Sequence, residues 1–213
     1  MNPDALRDDV TVRPGIEDRD RLPLAAILYD GLRDKFAPLF GDRERAVPVI
    51  AHHLRSVRCL TARRGPEVVG IAGLKYAGRG FFDLGLMRAI GEFGIRTFPL
   101  IFYGLPLEAF PRRDEVYLEC LAVSEVQRGV GVGTRLLGAA LSHAWRDGAR
   151  RVRLDVATDN ASAVSLYERR GFRILRVRSL PFPWCRVFGT RGFAEMVRDV
   201  DEGDRVDEEA RVR

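Results

Sequence analysis

The sequence EVYLECLAVSEVQRGVGVGTRLL, residues 115–137, joins a strand-like stretch to a helix-like stretch through a turn rich in glycine. Aliphatic and aromatic residues dominate its first nine positions, which is typical of a β-strand. The helix after the turn is expected to end at about Trp145. Gly129, Gly131 and Gly133 lie where this helix begins, so the sequence predicts a helix start without bulky side chains.

Such a helix start is a candidate site for a phosphate group. The first four N–H groups of a helix have no partner within it, and the helix dipole makes that end positive. Glycines leave room for phosphates to approach these N–H groups closely. Arg128 adds a neighbouring positive charge, and the Thr134 hydroxyl is a further hydrogen-bond donor. The turn therefore predicts pyrophosphate binding, with a tight strand-to-helix turn as the alternative.

Two other phosphate-binding motifs do not fit this turn. A Walker P-loop requires Gly-Lys-Ser or Gly-Lys-Thr after the glycines, and neither follows here. A Rossmann fingerprint has a different glycine spacing, and no early strand-helix-strand unit precedes this turn.

From residue 115 onward, strands and helices alternate along the chain. Glycine and proline turns separate the predicted strands, and apolar residues recur at helical spacing between them. This alternation implies partly parallel pairing in an α/β fold, or an α+β sandwich. We predict strands at 10–14, 58–64, 67–76, 115–123, 151–157, 172–180 and 193–200, and helices at 17–36, 42–55 and 161–170, with a further helix from the glycine-rich turn to about residue 145.

The chain is expected to form a single domain over residues 1–200, followed by an acidic, mobile tail at 201–213. Residues 78–114 precede this alternation and have frequent glycines, clustered aromatic residues and few charges. Apolar insertions of this length are typical of lids, binding elements or oligomer contacts, so a homodimer is one expectation. The alternative is a helical pair that thickens the core.

Composition argues against several classes of protein. Hydrophobic residues make up 46% of the 213-residue chain, which is typical of a soluble globular protein. The most hydrophobic uncharged run, 97–107, is shorter than the ~20 residues of a membrane helix, and the N-terminus does not resemble a secretory signal. The three scattered cysteines favour neither a disulfide framework nor a metal site. We therefore expect a cytoplasmic protein without a metal ion and without stable membrane insertion.

The net charge of +5 is unevenly distributed along the chain. Residues 199–213 carry seven acids and three arginines, which leaves 32 basic and 23 acidic groups before them, a net charge of +9. Nearly all of the positive charge is arginine, which forms bidentate contacts with phosphate oxygens. This surface suits a polyphosphate ligand, and nucleic acid is the alternative. Because no nucleic-acid-binding module is recognisable, we expect no nucleic-acid partner.

Three short motifs, in this order and spacing, resemble the GNAT superfamily of acetyl-CoA-dependent N-acetyltransferases. Residues 128–133 match the family's cofactor motif, Gln/Arg-x-x-Gly-x-Gly/Ala, and follow a strand that ends in Leu121-Ala122-Val123. Later in the chain, Asn160, Leu166-Tyr167 and Gly171-Phe172 match a second conserved region of the family. The resemblance covers residues 115–175 firmly and the first helices and hairpin loosely. With its apolar insertion before the fourth strand, the chain resembles an uncharacterised branch of these enzymes.

The resemblance implies a mixed, twisted sheet of about seven strands that splays open between the fourth and fifth strands, with helices on both sides. It implies acetyl-CoA as cosubstrate, with the pantetheine arm along the backbone of residues 121–123 and the pyrophosphate on the amides of residues 129–134. The cofactor-binding residues that it implies are Leu121, Ala122, Val123, Arg128, Gly129, Val130, Gly131, Val132, Gly133, Thr134, Asn160 and Tyr167.

Acetyl transfer to an amine needs a base, and Glu119 is the candidate. In a regular strand Tyr117, Glu119, Leu121 and Val123 share one face, so Glu119 is expected beside the thioester, where it can take the amine's proton. The stretch YLExLxV is similar to polyamine acetyltransferases of the same superfamily, although Cys120 stands where those enzymes have an acidic residue. The alternative role for Glu119 is pairing with an arginine.

The resemblance implies that Tyr167 protonates the thiolate of coenzyme A. Tyr167 shares a helical face with Ala163 and Leu166, so packing in the core is a compatible alternative. Asn160, at the start of the same helix, is either an N-cap or a cofactor contact. The oxyanion is expected to bind a strand N–H, at Leu121.

These features together predict an enzyme that moves the acetyl group of acetyl-CoA to a primary amine by direct transfer in a ternary complex. A small-molecule amine and a protein N-terminus are both possible acceptors. The alternative is a non-catalytic acetyl-CoA sensor or regulatory module on the same fold, against which the pair Glu119 and Tyr167 argues.

Overall fold

The computed structural model describes residues 10–82, 111–187 and 189–205. All seven predicted strands are present, each within one residue of its predicted ends. The strands are β1 (Val10–Pro14), β2 (Cys59–Arg64), β3 (Glu67–Lys75), β4 (Glu115–Val123), β5 (Arg151–Ala157), β6 (Arg173–Ser179) and β7 (Gly192–Asp199). The α-helices in these ranges are α1 (Arg21–Gly31), α2 (Arg33–Phe40), α3 (Arg43–His53), α4 (Val132–Arg146), α5 (Ala161–Arg169) and α6 (Trp184–Val187).

The predicted helix at 17–36 is two helices in the structure. The break is at Leu32, whose φ of −126° and ψ of 29° are not helical. Gly31, just before it, lies against β4, where an added Cβ would be 3.2 Å from the Cβ of Ala122. The close contact with the sheet thus falls next to the break between the two helices. The next predicted cap is confirmed, because Asp42 Oδ1 accepts a hydrogen bond from Arg45 N at 3.0 Å at the start of α3.

The strands form one open mixed sheet in the order β1-β2-β3-β4-β5-β7-β6. The pair β4–β5 is parallel, and the other neighbouring strands pair in an antiparallel manner. The connection from β4 to β5 runs through α4, as a parallel pair requires a crossover. This arrangement confirms the predicted mixed sheet of about seven strands flanked by helices.

Two apolar cores hold helices against opposite faces of the sheet. On one face, residues of α4 and α5, including Leu136, Leu137 and Tyr167, pack against the sheet. On the other face, residues of α1 and α3, including Leu28 and Ile50, pack against β2, β3 and β4. We call these the α4 face and the α1 face.

The residues expected to form a mobile tail begin as an ordered turn. Ser142 Oγ of α4 donates to the Asp204 carbonyl at 2.6 Å, and Arg198 Nη2 donates to Asp204 Oδ1 at 2.7 Å. Asp204 is buried. Residues 201–205 of the predicted tail thus contact the domain, and the rest of the tail lies outside the described residues. Most of the predicted insertion, residues 83–110, also lies outside them, and so does the expectation of a lid or an interface.

Candidate active site

The parallel strands β4 and β5 pair over a short distance and then part. Their pairing runs from Glu115 and Arg151 to Leu118 and Leu154. Beyond these residues the two described strands do not pair with each other, so the sheet opens into a fork. The predicted splay between the fourth and fifth strands is therefore confirmed.

A cleft of about 460 Å³ lies at this fork. The α1–α2 junction borders it on the α1 face, and α5 borders it on the α4 face. The cleft thus reaches both faces of the sheet, and two ligands can approach the fork from opposite sides. Its lining consists of residues 31–34, 118–121, 155–157, 159–160 and 189–190, together with Ala163, Tyr167 and Phe193.

The glycine-rich turn leads into α4 with the open geometry that the sequence suggests. Gly129 and Gly131 have φ values of +80° and +93°, which favour glycine, and an added Cβ at either position would have no atom within 4 Å. The first helical hydrogen bond runs from Arg135 N to the Gly131 carbonyl at 3.1 Å. The amides of residues 132–134 therefore precede it, and no described side chain caps this helix start.

Gly133 differs from the two glycines before it. It lies inside α4, where an added Cβ would be 3.4 Å from Leu166 and 3.5 Å from Leu121. These are ordinary van der Waals distances, so a methyl group would fit at Gly133, but the open space beside Gly129 and Gly131 does not extend to it. The prediction that all three glycines clear space for a ligand is wrong for Gly133.

The remaining residues of the turn contribute in different ways. Val132 is buried and Val130 packs against the same core, so they present only backbone groups to a ligand. The Arg128 side chain is exposed. Thr134 is half-buried, and its carbonyl accepts a hydrogen bond from Arg170 Nη2 at 3.3 Å.

A register shift between β3 and β4 decides where Glu119 points. Gly73 pairs with Cys120 and Leu74 pairs with Leu118, so Glu119 is the extra residue of a β-bulge. As a result Leu118 and Leu121 both pack on the α4 face, whereas Cys120 packs on the α1 face. Glu119 is on the α1 face too, because it contacts Phe81 of that core. The prediction that Glu119 shares a face with Leu121 and Val123 is wrong, since a bulge interrupts the alternation.

The Glu119 carboxylate is held by backbone and by charge. Its Oε2 accepts a hydrogen bond from Phe81 N at 2.9 Å, and its Oε1 lies 3.9 Å from Lys75 Nζ. An added Cβ at Gly80 would come within 2.2 Å of Oε2, so only glycine leaves room for the carboxylate there. The side chain is 21% exposed and lines the cleft. Its partners among the described residues include a lysine and a backbone amide.

Tyr167 lies in the wall of the cleft on the α4 face. Its ring packs beside Phe172 with the centroids 5.7 Å apart, and the residue is 8% exposed. Burial, with a smaller contribution from Cys120, raises the pKa of the Tyr167 hydroxyl, which therefore stays protonated at neutral pH. Among the described residues, none forms a hydrogen bond with this hydroxyl. The ring of Tyr167 thus packs in the core, while its protonated hydroxyl is available as a donor.

The end of β4 offers one free backbone edge to the fork. On its other edge, Leu121, Ala122 and Val123 pair with β3. Ala122 is buried on the α1 face, while Leu121 and Val123 pack on the α4 face. Asn160 caps α5 by accepting a hydrogen bond from Ala163 N at 3.1 Å, and it also lines the cleft.

Sequence reasoning missed a polar group that joins three strands at the fork. Asp155 of β5 lines the cleft, and its Oδ2 accepts hydrogen bonds from the Tyr117 hydroxyl at 2.9 Å and from Arg178 Nη2 at 2.7 Å. The only signal in the local sequence was an acidic residue among apolar residues near the end of the strand, in the stretch LDVA at 154–157. Its partners lie 38 and 23 residues away in the chain, which no local pattern indicates.

The histidines and cysteines of the described residues contribute no metal site. No group of three or more histidine, cysteine or acidic residues in these ranges has an arrangement that could hold a metal ion. His143 Nε2 instead lies 3.3 Å from the Tyr76 hydroxyl. Burial raises the pKa of Cys59 to about 12, so this thiol is neutral at physiological pH. Within the described ranges, every helix is too short or too polar to cross a membrane.

Comparisons with known proteins agree with this geometry. Among curated proteins, the chain is similar to the mycothiol acetyltransferase of Corynebacterium efficiens, with 47% identity over 61 residues, 29% of this chain and 20% of that protein. It is also similar to N-alpha-acetyltransferase 30 of Schizosaccharomyces pombe, with 39% identity over 56 residues, 26% of this chain and 37% of that protein. The matched stretch thus spans only about one fifth of the length of the first relative and about a third of the second.

A solved structure extends the likeness to the whole fold. The yncA protein of Salmonella typhimurium, solved with its cofactor acetyl-CoA, superimposes with a TM-score of 0.59 at 15% identity and covers 91% of this chain and 95% of that one. The family profile described as the acetyltransferase (GNAT) family matches residues 26–172, which is more than half of the chain. This chain therefore belongs to the GNAT family of acetyltransferases.

Proposed function

We propose that this enzyme transfers the acetyl group of acetyl-CoA to a primary amine by direct transfer in a ternary complex. The observation that carries the proposal is the fork. A free edge of β4 lies between a glycine-rich helix start and a cleft that holds Glu119 and Tyr167. Because the cleft is open to both faces of the sheet, donor and acceptor can be bound together.

The residues around the fork suit coenzyme A. The amides of residues 132–134 have no partner within α4, and the space beside Gly129 and Gly131 is open. These donors would hold the pyrophosphate, with Arg128 as a neighbouring charge. The free edge of residues 121–123 would pair with the amide groups of the pantetheine arm. When bound, acetyl-CoA supplies an activated thioester.

Glu119 would act as the base. The amide of Phe81 fixes its Oε2 at 2.9 Å, so the carboxylate has one defined orientation in the cleft. It would take a proton from the acceptor's ammonium group, directly or through one water molecule, and free the nitrogen lone pair. A backbone N–H of β4, at Leu121, would donate to the carbonyl oxygen as negative charge develops there.

The protons and electrons of the transfer balance with these residues and solvent. The nitrogen lone pair forms the C–N bond, and the C–S bond breaks with its electron pair leaving on sulfur. Tyr167 would give its proton to that thiolate and regain one from the nitrogen through solvent. Of the two protons that leave the ammonium nitrogen, one ends on coenzyme A and the other in solvent.

The acceptor is proposed as a small-molecule amine or the amino terminus of a polypeptide. The similar proteins support both, since one is named for mycothiol and the other for an N-alpha position. From the sequence alone, we also propose a homodimer and a cytoplasmic location.

The experiment is coenzyme A thiol release from acetyl-CoA with a panel of butylamine, spermidine, aniline and a tetrapeptide with a free amino terminus. We expect at least one amine to accelerate release, and Glu119→Gln to reduce that rate by about 100-fold. The matched control is Glu67→Gln, which changes an exposed carboxylate at the start of β3 and should leave the rate unchanged. An unchanged rate in Glu119→Gln would remove Glu119 as the base. Binding of acetyl-CoA without release by any amine would favour the non-catalytic module.

A further inference from the structure

Asp155 is a second carboxylate at the fork, with no role in the transfer described above. It is the first residue of β5 beyond the last pair with β4, which joins Leu118 and Leu154. Its side chain is 12% exposed, and the residue lines the cleft. A carboxylate in this position is available to a molecule that enters between the two strands.

One oxygen of Asp155 is fixed from two sides. Its Oδ2 accepts hydrogen bonds from the Tyr117 hydroxyl of β4 and from Arg178 Nη2 of β6. Tyr117 is 7% exposed. Burial and the charge of Asp155, followed by that of Glu119, raise the pKa of Tyr117, so its hydroxyl remains a donor. The carboxylate therefore has a fixed position at the point where the strands separate.

The other oxygen of Asp155 has no partner. Oδ1 is buried, and no described residue donates a hydrogen bond to it. Leaving a buried carboxylate oxygen unpaired is unfavourable, and such groups are rare in folded proteins. A donor that reaches Asp155 from the cleft would supply the missing hydrogen bond.

The surroundings of Asp155 indicate what kind of donor this is. Glu119 lies on the same face of the sheet, close enough that its charge acts on Tyr117 together with that of Asp155. Asp34 and Asp159 also line the cleft, so its described lining holds four carboxylates, against Arg33 in the lining and Lys75 and Arg178 beside Glu119 and Asp155. A cationic nitrogen with several N–H groups suits this environment, whereas an anionic group does not.

We propose that Asp155 binds the ammonium group of the acceptor, with Oδ1 accepting one N–H, and holds it beside Glu119. This inference rests on the proposed function and specifies its acceptor as a primary amine that is charged when it binds. Glu119 then removes one proton, and the nitrogen keeps a second N–H on Asp155 while its lone pair attacks the thioester. Tyr117 is a positioning residue, which acts through Asp155.

The test compares Asp155→Asn with the unmodified enzyme on two amines. Butylamine is charged at neutral pH, and aniline is not. We expect the KM for butylamine to rise at least tenfold with kcat nearly unchanged, because the lost contact is made equally in the ground and transition states. The KM for acetyl-CoA should stay within twofold. The preference for butylamine over aniline, measured as the ratio of kcat/KM, should fall by about the same factor as the butylamine KM rises.

Two further variants keep the test independent of folding. Tyr117→Phe keeps the ring and removes one donor to Asp155, and it should produce a smaller change in the same direction. Asp199→Asn changes an exposed carboxylate that lies 3.8 Å from Arg151 at the far end of β7, and it should change neither KM. Melting temperatures of all variants report whether each one is folded.

The outcomes separate this inference from the proposed function. An unchanged butylamine KM and an unchanged amine preference in folded Asp155→Asn would overturn the role of Asp155 and leave the transferase intact. Equal losses for butylamine and aniline would also overturn it, since they would indicate a structural role. Absence of amine-dependent release in the unmodified enzyme would overturn the proposed function itself.

Discussion

At the scale of single residues, the cleft holds its two candidate catalytic side chains in different ways. Hydrogen bonding and charge hold Glu119 on the α1 face, whereas apolar packing holds Tyr167 on the α4 face. The hydroxyl of Tyr167 has no hydrogen-bond partner among the described residues, so it is available to a sulfur atom at the fork. Removing this hydroxyl removes a proton donor but preserves the packing of the ring.

We therefore expect Tyr167→Phe to lower kcat by about 100-fold, because the departing thiolate then takes its proton from solvent. The dissociation constant of acetyl-CoA should change by less than about threefold, since the ring still fills its site. Steady-state kinetics and calorimetric titration measure the two quantities. The matched control is Tyr29→Phe, in which a buried tyrosine loses its hydrogen bond to the Gly41 carbonyl without touching the cleft. A loss of acetyl-CoA affinity with kcat preserved would identify Tyr167 as a packing residue only.

Sequence reasoning located both of these residues but misplaced one. It identified Glu119 as a candidate base and predicted its face from strict strand alternation. The bulge opposite Gly73 and Leu74 depends on how β3 pairs with β4, and this pairing is not visible in the sequence of β4 alone. The same limit hid Asp155, whose partners come from β4 and β6.

At the scale of elements, the turn before α4 depends on backbone conformation more than on side chains. Gly131 is the residue before the first turn of α4, with a positive φ, and space is open beside it. Any other residue at this position strains the backbone, which moves the amides that precede the first helical bond. The contribution of this turn to ligand binding can therefore be measured separately from its contribution to stability.

We expect Gly131→Ala to weaken acetyl-CoA binding by about tenfold, the effect of losing one charge-assisted hydrogen bond. The control is Gly148→Ala, because Gly148 also has a positive φ and open space but lies in the turn after α4, away from the cleft. Both variants should lose similar stability, about 1–2 kcal/mol, and only the first should lose affinity. Equal acetyl-CoA dissociation constants in the two variants would argue against the turn as the pyrophosphate site.

The elements themselves were predictable because their signals are local. Alternating polarity and turn residues define each strand to within one residue. The break between α1 and α2 was not predictable, because it follows the contact of Gly31 with Ala122, more than ninety residues away in the chain. Position 133 shows the same limit, since only the packed structure shows that Leu121 and Leu166 lie beside it, whereas the space beside Gly129 and Gly131 is open.

At the scale of the whole molecule, the fork results from unequal pairing on the two edges of β5. β7 pairs with β5 along its full length, from Arg151 to Ala157, whereas β4 pairs with only its first four residues. The end of β5 at Ala157 is therefore held in the sheet by β7, without β4. No periodicity in the sequence specifies this order of strands, and the expectation of a splay came from the resemblance carried by residues 115–175. The identity of the acceptor depends on the shape of the whole cleft, which local patterns do not encode.

The most direct test of acetyl-CoA binding at the fork is thermal unfolding of the protein with acetyl-CoA, with ATP and NAD as controls. Acetyl-CoA at about 100 times its dissociation constant should add ~2.7 kcal/mol to the free energy of unfolding, which raises the melting temperature of a chain of this size by roughly 5–10 °C. We expect this shift for acetyl-CoA and a much smaller one for ATP and NAD, which lack the pantetheine arm. A protein that unfolds cooperatively and shows no shift at millimolar acetyl-CoA would contradict the assignment of the fork as its binding site.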